Sequence, residues 1–152
     1  MGEFNVLSSA QSFDSLFIRR SELYSQYVIS NAYVWGLNTS GPLGLGDTAD
    51  RSSPVYLGTN SWRTGSVAHG SNDACAFVRQ DGTLWAWGIN SFAQLGIGNT
   101  VSKSSPVQVG SLTNWKQVTL STYALAIKAD GTLWAWGRNS EGQLGIGNTL
   151  AR

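Results

Sequence analysis

Seven tryptophans in 152 residues are the side chains of this sequence best suited to hold a ligand. Two pairs, Trp85/Trp87 and Trp134/Trp136, are spaced so that both indoles of a pair point the same way from a strand. Flat indoles so presented could stack sugars or nucleobases. Each pair follows an aspartate, Asp81 or Asp130, so a carboxylate near an aromatic platform recurs too. A glycosidase would need two acids converging across one bond, and no spacing singles out such a pair among Asp47, Asp50, Asp73 and Glu141. His69 is the only histidine and Cys75 the only cysteine, which leaves almost no material for a metal cluster, a disulfide or a catalytic triad. Gly-x-Gly occurs at 44–46, 96–98 and 145–147, but without the Lys-Ser/Thr or following helix of a phosphate loop. No catalytic, metal or cofactor-binding residue is predicted, and no cofactor.

The elements that carry these residues explain them better. Asp-Gly-Thr-Leu-Trp-Ala-Trp-Gly stands at 81–88 and again at 130–137, and a worn copy ends at Trp35-Gly36. Each runs into the same tail, Leu43-Gly44-Leu45-Gly46, Leu95-Gly96-Ile97-Gly98 or Leu144-Gly145-Ile146-Gly147. A period near 50 residues marks a repeat architecture, with a β-propeller the leading candidate. Asp81-Gly82 and Asp130-Gly131 between alternating apolar runs predict hairpins with two-residue type I′ turns. The paired strands are Cys75–Arg79 with Thr83–Trp87, and Leu125–Lys128 with Thr132–Trp136. Leu84 and Ala86 face one way, Trp85 and Trp87 the other, as a sheet covered on both sides requires. The Trp residues are thereby expected to pack between sheets, and the repeated aspartates to make turns. Trp62 and Trp115 open each unit, Gly88 and Gly137 close it, and Pro54 and Pro106 are expected at strand starts or on an edge.

Composition agrees. Ten Lys and Arg oppose nine acids, and charged residues are 12% of the chain. Near-neutrality gives nucleic acid or an anionic membrane surface nothing to bind by bulk charge. No apolar stretch reaches the ~20 residues of a membrane span, nor does a signal peptide open the chain, so a soluble protein is expected. Residues 1–31 lie outside the repeat and 32–152 within it. Phe13, Leu16, Phe17, Leu23, Tyr24, Tyr27 and Val28 recur with helical spacing over 12–28, predicting an amphipathic arm. Short strands around Leu16–Ile18 and Tyr27–Ile29 are the alternative.

The run Ala124–Gly147, with its earlier copy, closely resembles the repeat of the regulator of chromosome condensation family. The likeness covers residues 32–152. It implies an all-β partial propeller of four-stranded antiparallel blades, two repeat intervals and part of a third. The best-known member of that family exchanges guanine nucleotide on a small GTPase; others are interaction scaffolds. Family repeats often carry a His ahead of the Leu-Ala-Ile strand, where this chain has Asn72-Asp73 and Thr122-Tyr123. Propellers close with four to eight blades, so the faces of two or three should need covering by further repeats, further chains or a partner.

The leader through Phe13-Asp14-Ser15-Leu16-Phe17-Ile18 into Tyr33-Val34-Trp35-Gly36 looks like tailed-phage proteins in which an arm fixes repeats to a virion. The expectation is a non-enzymatic structural or interaction protein of a virion, with Phe13, Leu16, Phe17, Leu23 and Tyr24 as anchors on another subunit, in a homo-oligomer or larger assembly. The alternatives are a regulator-type propeller binding a small GTPase or other protein, soluble within a cell, and a glycan-binding module.

Overall fold

The computed structural model describes residues 18–19, 32–58, 62–67 and 73–152. Among these residues ten strands form three antiparallel sheets, each one blade. The first blade holds β1 (Ile18–Arg19), β2 (Ala32–Gly36) and β3 (Arg51–Tyr56) in that order. The second holds β4 (Trp62–Val67), β5 (Ala74–Arg79), β6 (Leu84–Gly88) and β7 (Lys103–Gln108). The third holds β8 (Trp115–Leu120), β9 (Tyr123–Lys128) and β10 (Leu133–Gly137). Pro54 and Pro106 fall on β3 and β7, both edge strands, where a missing N–H breaks no ladder.

Only the second blade shows four strands among the described residues. The third begins a fourth: Arg152 exchanges backbone hydrogen bonds with Gly137, as Arg51 pairs with Gly36 and Lys103 with Gly88. At Ile18–Arg19, inside the segment expected as helix, the chain is strand and pairs with Tyr33 and Ala32. A sheet edge with open N–H and C=O groups captures those residues against their helical periodicity. The rest of 12–28 lies outside the described residues. Among the described residues no helix is long and apolar enough to cross a membrane.

Both predicted hairpins form, with Cys75 opposite Trp87 and Ala124 opposite Trp136. Their turns are not type I′. Arg79 O accepts from Gly82 N at 3.0 Å and Arg79 N donates to Thr83 O at 2.9 Å, so the loop has three residues, Gln80-Asp81-Gly82. Gly82 alone is left-handed, at φ 78, and Gly131 repeats it at φ 85. Asp81 and Asp130 can therefore keep ordinary negative φ, in the three-residue loop that ends on a left-handed glycine.

The core lies between the blades. Trp87, Phe77 and Cys75 on one face of the second blade meet Ala32, Val34, Leu43 and Leu57 of the first. Leu84, Ala86, Ala76 and Val78 on its other face meet Trp115, Val118, Ala124 and Ala126 of the third, with Trp136 packed beside them. Burying one indole removes about 150–250 Å² from water, a gross gain on the order of 4–6 kcal/mol.

Candidate functional site

The polar and aromatic residues of the recurring phrase are tied into a turn and into the joins between blades. At the turn, Asp81 Oδ1 accepts from Thr83 N at 2.9 Å and from Thr83 Oγ1 at 2.6 Å. Thr83 Oγ1 in turn accepts from Trp85 Nε1 at 2.8 Å. The same relay runs through Asp130, Thr132 and Trp134. The Thr hydrogen bonds, stabilising the charged form, hold both carboxyls below the usual carboxylate range.

The second Trp of each phrase locks blades together. Trp87 Nε1 donates to Pro42 O at 2.7 Å, and Trp136 Nε1 to Gln94 O at 2.9 Å, each in the loop of the preceding blade. The indole passes so close that a Cβ on Gly44 or Gly96 would stand 2.7 or 2.6 Å from Nε1. Trp87 is fully buried, whereas Trp134 is 48% exposed.

Sequence reasoning missed the residues that build those loops. Asn38, Asn90 and Asn139 are buried; the Oδ1 of each accepts from the N–H of Leu43, Leu95 or Leu144 at 2.9–3.0 Å. Their amides donate onward, to Asp47 O, to Asn99 O, and to Asn148 O. Gln94 and Gln143 accept from Phe92 N and Glu141 N. Arg79 and Lys128 were missed as well: they cover Trp85 and Trp134, 3.6 and 3.7 Å from the ring centroids. Recurrence at one position per repeat was the signal for all of them.

The other predicted positions fall into place around this frame. Trp62 and Trp115, on the first strands of their blades, are buried and flank Arg79 and Lys128. Trp35 on β2 is half-buried; Gly36, Gly88 and Gly137 are left-handed at φ 108, 97 and 99. Cys75 is buried, its thiol donating to Pro42 O, and burial pushes it up from the ordinary thiol range. Asp47 pairs with Arg51 at 2.6 Å and is held low by it. Phe13, Leu16, Phe17, Leu23, Tyr24 and His69 lie outside the described residues. Among the described residues no three His, Cys, Asp or Glu side chains group around a metal position.

What the frame leaves over sits where the repeats differ. The loop positions Ser40, Phe92 and Glu141 are equivalent, as are Leu37, Ile89 and Arg138. Between the second and third loops lies a groove of about 610 Å³, lined by Phe92, Thr100, Arg138, Ser140 and Thr149 among others. Phe92 is 41% exposed with the Arg138 guanidinium 5.5 Å over its ring. Arg138 is held there by Ser140 Oγ and by Glu141 Oε1, each at 2.9 Å.

Residues 31–76, 81–124 and 130–152 match the regulator of chromosome condensation (RCC1) repeat. The human X-linked retinitis pigmentosa GTPase regulator is 36% identical over 89 residues, 56% of this chain and 9% of that protein. The crystal structure of human WBSCR16 superposes with a TM-score of 0.75 at 21% identity, covering 99% of this chain and 36% of the other. The crystal structure of Prp20p from Saccharomyces cerevisiae gives 0.71 at 21% identity, over 94% of this chain and 35% of that one. Both structures fix the fold; this chain spans about a third of either.

Proposed function

This chain belongs to the regulator of chromosome condensation repeat family, and on that premise we propose that it is a non-enzymatic interaction module whose loop rim holds a protein partner. The observation that carries the reading is the Phe92–Arg138 pair. An exposed aromatic under a pre-positioned guanidinium, beside a groove, has the composition of an interface hot spot. It stands where the repeats diverge, while the recurring Asp, Thr, Asn and Trp residues are used up in holding the blades. Fold alone does not assign a partner.

A small-GTPase type of partner is the finer reading. It is supported by the human relative, named a GTPase regulator, and by the yeast structure, described with the binding of Prp20p to Gsp1p and histones. This regulator-type reading fits those relatives better than the virion setting suggested by the leader. The test is binding of the chain to purified small GTPases, read together with release of labelled nucleotide. Phe92→Ala and Arg138→Ala should each weaken binding about tenfold or more without moving the melting temperature. Binding unchanged in both variants would remove the rim from the interface; binding without nucleotide release would keep the interaction and discard the regulator role.

A further inference from the structure

The groove between the second and third loops holds a cation whose counter-charge comes from its own loop. Arg138 belongs to the third blade, at the position that Leu37 and Ile89 hold on the other two. Its guanidinium lies 5.5 Å over the Phe92 ring of the second blade. Nε donates to Ser140 Oγ and Nη2 to Glu141 Oε1, each at 2.9 Å. A guanidinium carries five N–H donors; two are used here, and the other three take no acceptor among the described residues. Both walls of the groove belong to adjoining blades of this chain. The corresponding positions between the first two blades hold Ser40 and Ile89, so only the one groove carries an aromatic and a guanidinium together.

The charge balance of the groove selects its ligand. Among the described residues Arg138 is the one charged side chain on walls otherwise made of Ser, Thr, Asn, Ala and Phe92. One cation matches one carboxylate, whereas a phosphate group, with nearly two charges, is ordinarily met by a cluster of arginines. The group already resting on the guanidinium is itself a carboxylate, and Glu141 reaches it through a single oxygen. The side chains of this pair are 37% and 70% exposed. An ion pair so exposed is weak, and a carboxylate that arrives with further contacts outcompetes it. The planar fork of a guanidinium offers parallel N–H groups to both oxygens of such an acid. Exposed Phe92 supplies apolar area beside it.

We propose that the groove takes an acidic segment of a partner protein, an Asp or Glu side chain on Arg138 and an apolar neighbour on Phe92, and that Glu141 is a built-in competitor which this acid displaces. The inference rests on the rim being a partner surface. The exchange swaps one carboxylate for another, so the groove keeps its charge while Glu141 is released to water. Glu141 therefore sets a ceiling on affinity and favours partners that bring the acid and the apolar residue together. A neutral or basic segment leaves the Arg138–Glu141 pair in place and gains only the contact with Phe92.

NMR titration of the whole chain with capped peptides tests this, because it reads weak binding residue by residue. The probe is Gly-Ser-Leu-Glu-Glu-Leu-Ser-Gly, with counterparts carrying Gln, Lys or phosphoserine in place of both Glu. The Glu peptide should shift the Arg138 Nε–H and the backbone amides of Ser91, Phe92 and Ser140, and bind about tenfold or more tightly than the Gln and Lys peptides. Arg138→Gln should abolish that preference, and Phe92→Ala should weaken the Glu peptide about tenfold. Glu141→Gln should tighten it by about threefold, the equivalent of losing one exposed ion pair. A merely structural Glu141 predicts no gain, so binding unchanged or weakened in Glu141→Gln overturns the proposal. It is overturned equally by no shift with the Glu peptide, by Lys binding as well as Glu, or by phosphoserine binding more tightly than Glu. The failure of the rim itself looks different. A Gln peptide that binds as well as Glu, with both lost in Phe92→Ala, keeps the rim as an interface and discards the acid; a protein partner indifferent to Phe92→Ala and Arg138→Ala discards the rim.

Discussion

Asp81 shows how a charge can serve a fold without serving a reaction. Its carboxylate accepts two hydrogen bonds from Thr83, which lowers its pKa in the folded protein below the ordinary value. A depressed folded-state pKa contributes stability above the unfolded pKa of about 3.9, lost as pH falls through the folded value. Asp81→Asn keeps an acceptor oxygen and removes the charge. Its melting temperature should lie below that of the native chain near neutral pH, and the gap should close below about pH 4. A gap independent of pH would mean that the charge contributes nothing. Ala93 is the opposite case, a residue that costs stability. It is the one non-glycine at positive φ among the described residues, at φ 58, where the equivalent positions hold Gly41 and Gly142. Left-handed backbone costs an L-residue roughly 1–2 kcal/mol, offset in part by the greater freedom of glycine in the unfolded chain. Ala93→Gly should therefore stabilise by about 0.5–1 kcal/mol in urea unfolding, and a loss of stability would contradict this.

The unit that repeats is a strand that carries its own lock, and its parts can be separated by substituting glycines in equivalent loops. Gly96 and Gly145 have nearly the same φ, 68 and 66, but only Gly96 has an indole over it. Gly96→Ala should cost the left-handed strain plus displacement of Trp136, in total about 3 kcal/mol or more; Gly145→Ala should cost the strain alone, about 1 kcal/mol. Equal losses in urea unfolding would show that the indole gives way freely. The hairpins and the two-faced Leu-Trp-Ala-Trp strands were legible because alternation and the Asp-Gly turn are local signals. Turn length was not, since the two-residue and three-residue loops both accept Asp-Gly and differ by where Thr83 O pairs. The long-range partners of Asn90 and Trp136, across 9 and 42 residues, left no local pattern beyond recurrence. Ile18–Arg19 lies in a stretch whose apolar spacing is helical, with a short strand around Leu16–Ile18 as the alternative reading, and it is strand because an open edge at Tyr33 was there to pair with it. The rim pair Phe92 and Arg138 was invisible for the converse reason, as it breaks the repeat instead of obeying it.

Because the joins among the described residues run between neighbouring blades, Trp87 into the first and Trp136 into the second, the molecule should behave as a short row of units coupled at their joins, as solenoids do. The two joins are chemically similar but unequal in burial: Trp87 is fully buried among Trp62, Phe77 and Cys75, while Trp136 is only partly covered and its neighbour Trp134 is exposed. The third blade should therefore open at a lower free-energy cost than the first two separate. Cys75 supplies a reporter confined to the first join. Its thiol lies against Pro42 O, fully screened from solvent, and burial keeps it protonated and unreactive until that join opens. Trp136→Ala removes the lock of the second join, a truncation of the class that costs about 3–5 kcal/mol. In this variant, tryptophan fluorescence should report an unfolding transition at lower urea than in the native chain. Labelling of Cys75 by a thiol reagent should stay slow through that first transition and accelerate only at a second. If Cys75 becomes reactive together with the first fluorescence change, the blades unfold as one body. The coupling across the second blade would then exceed the strength of either join.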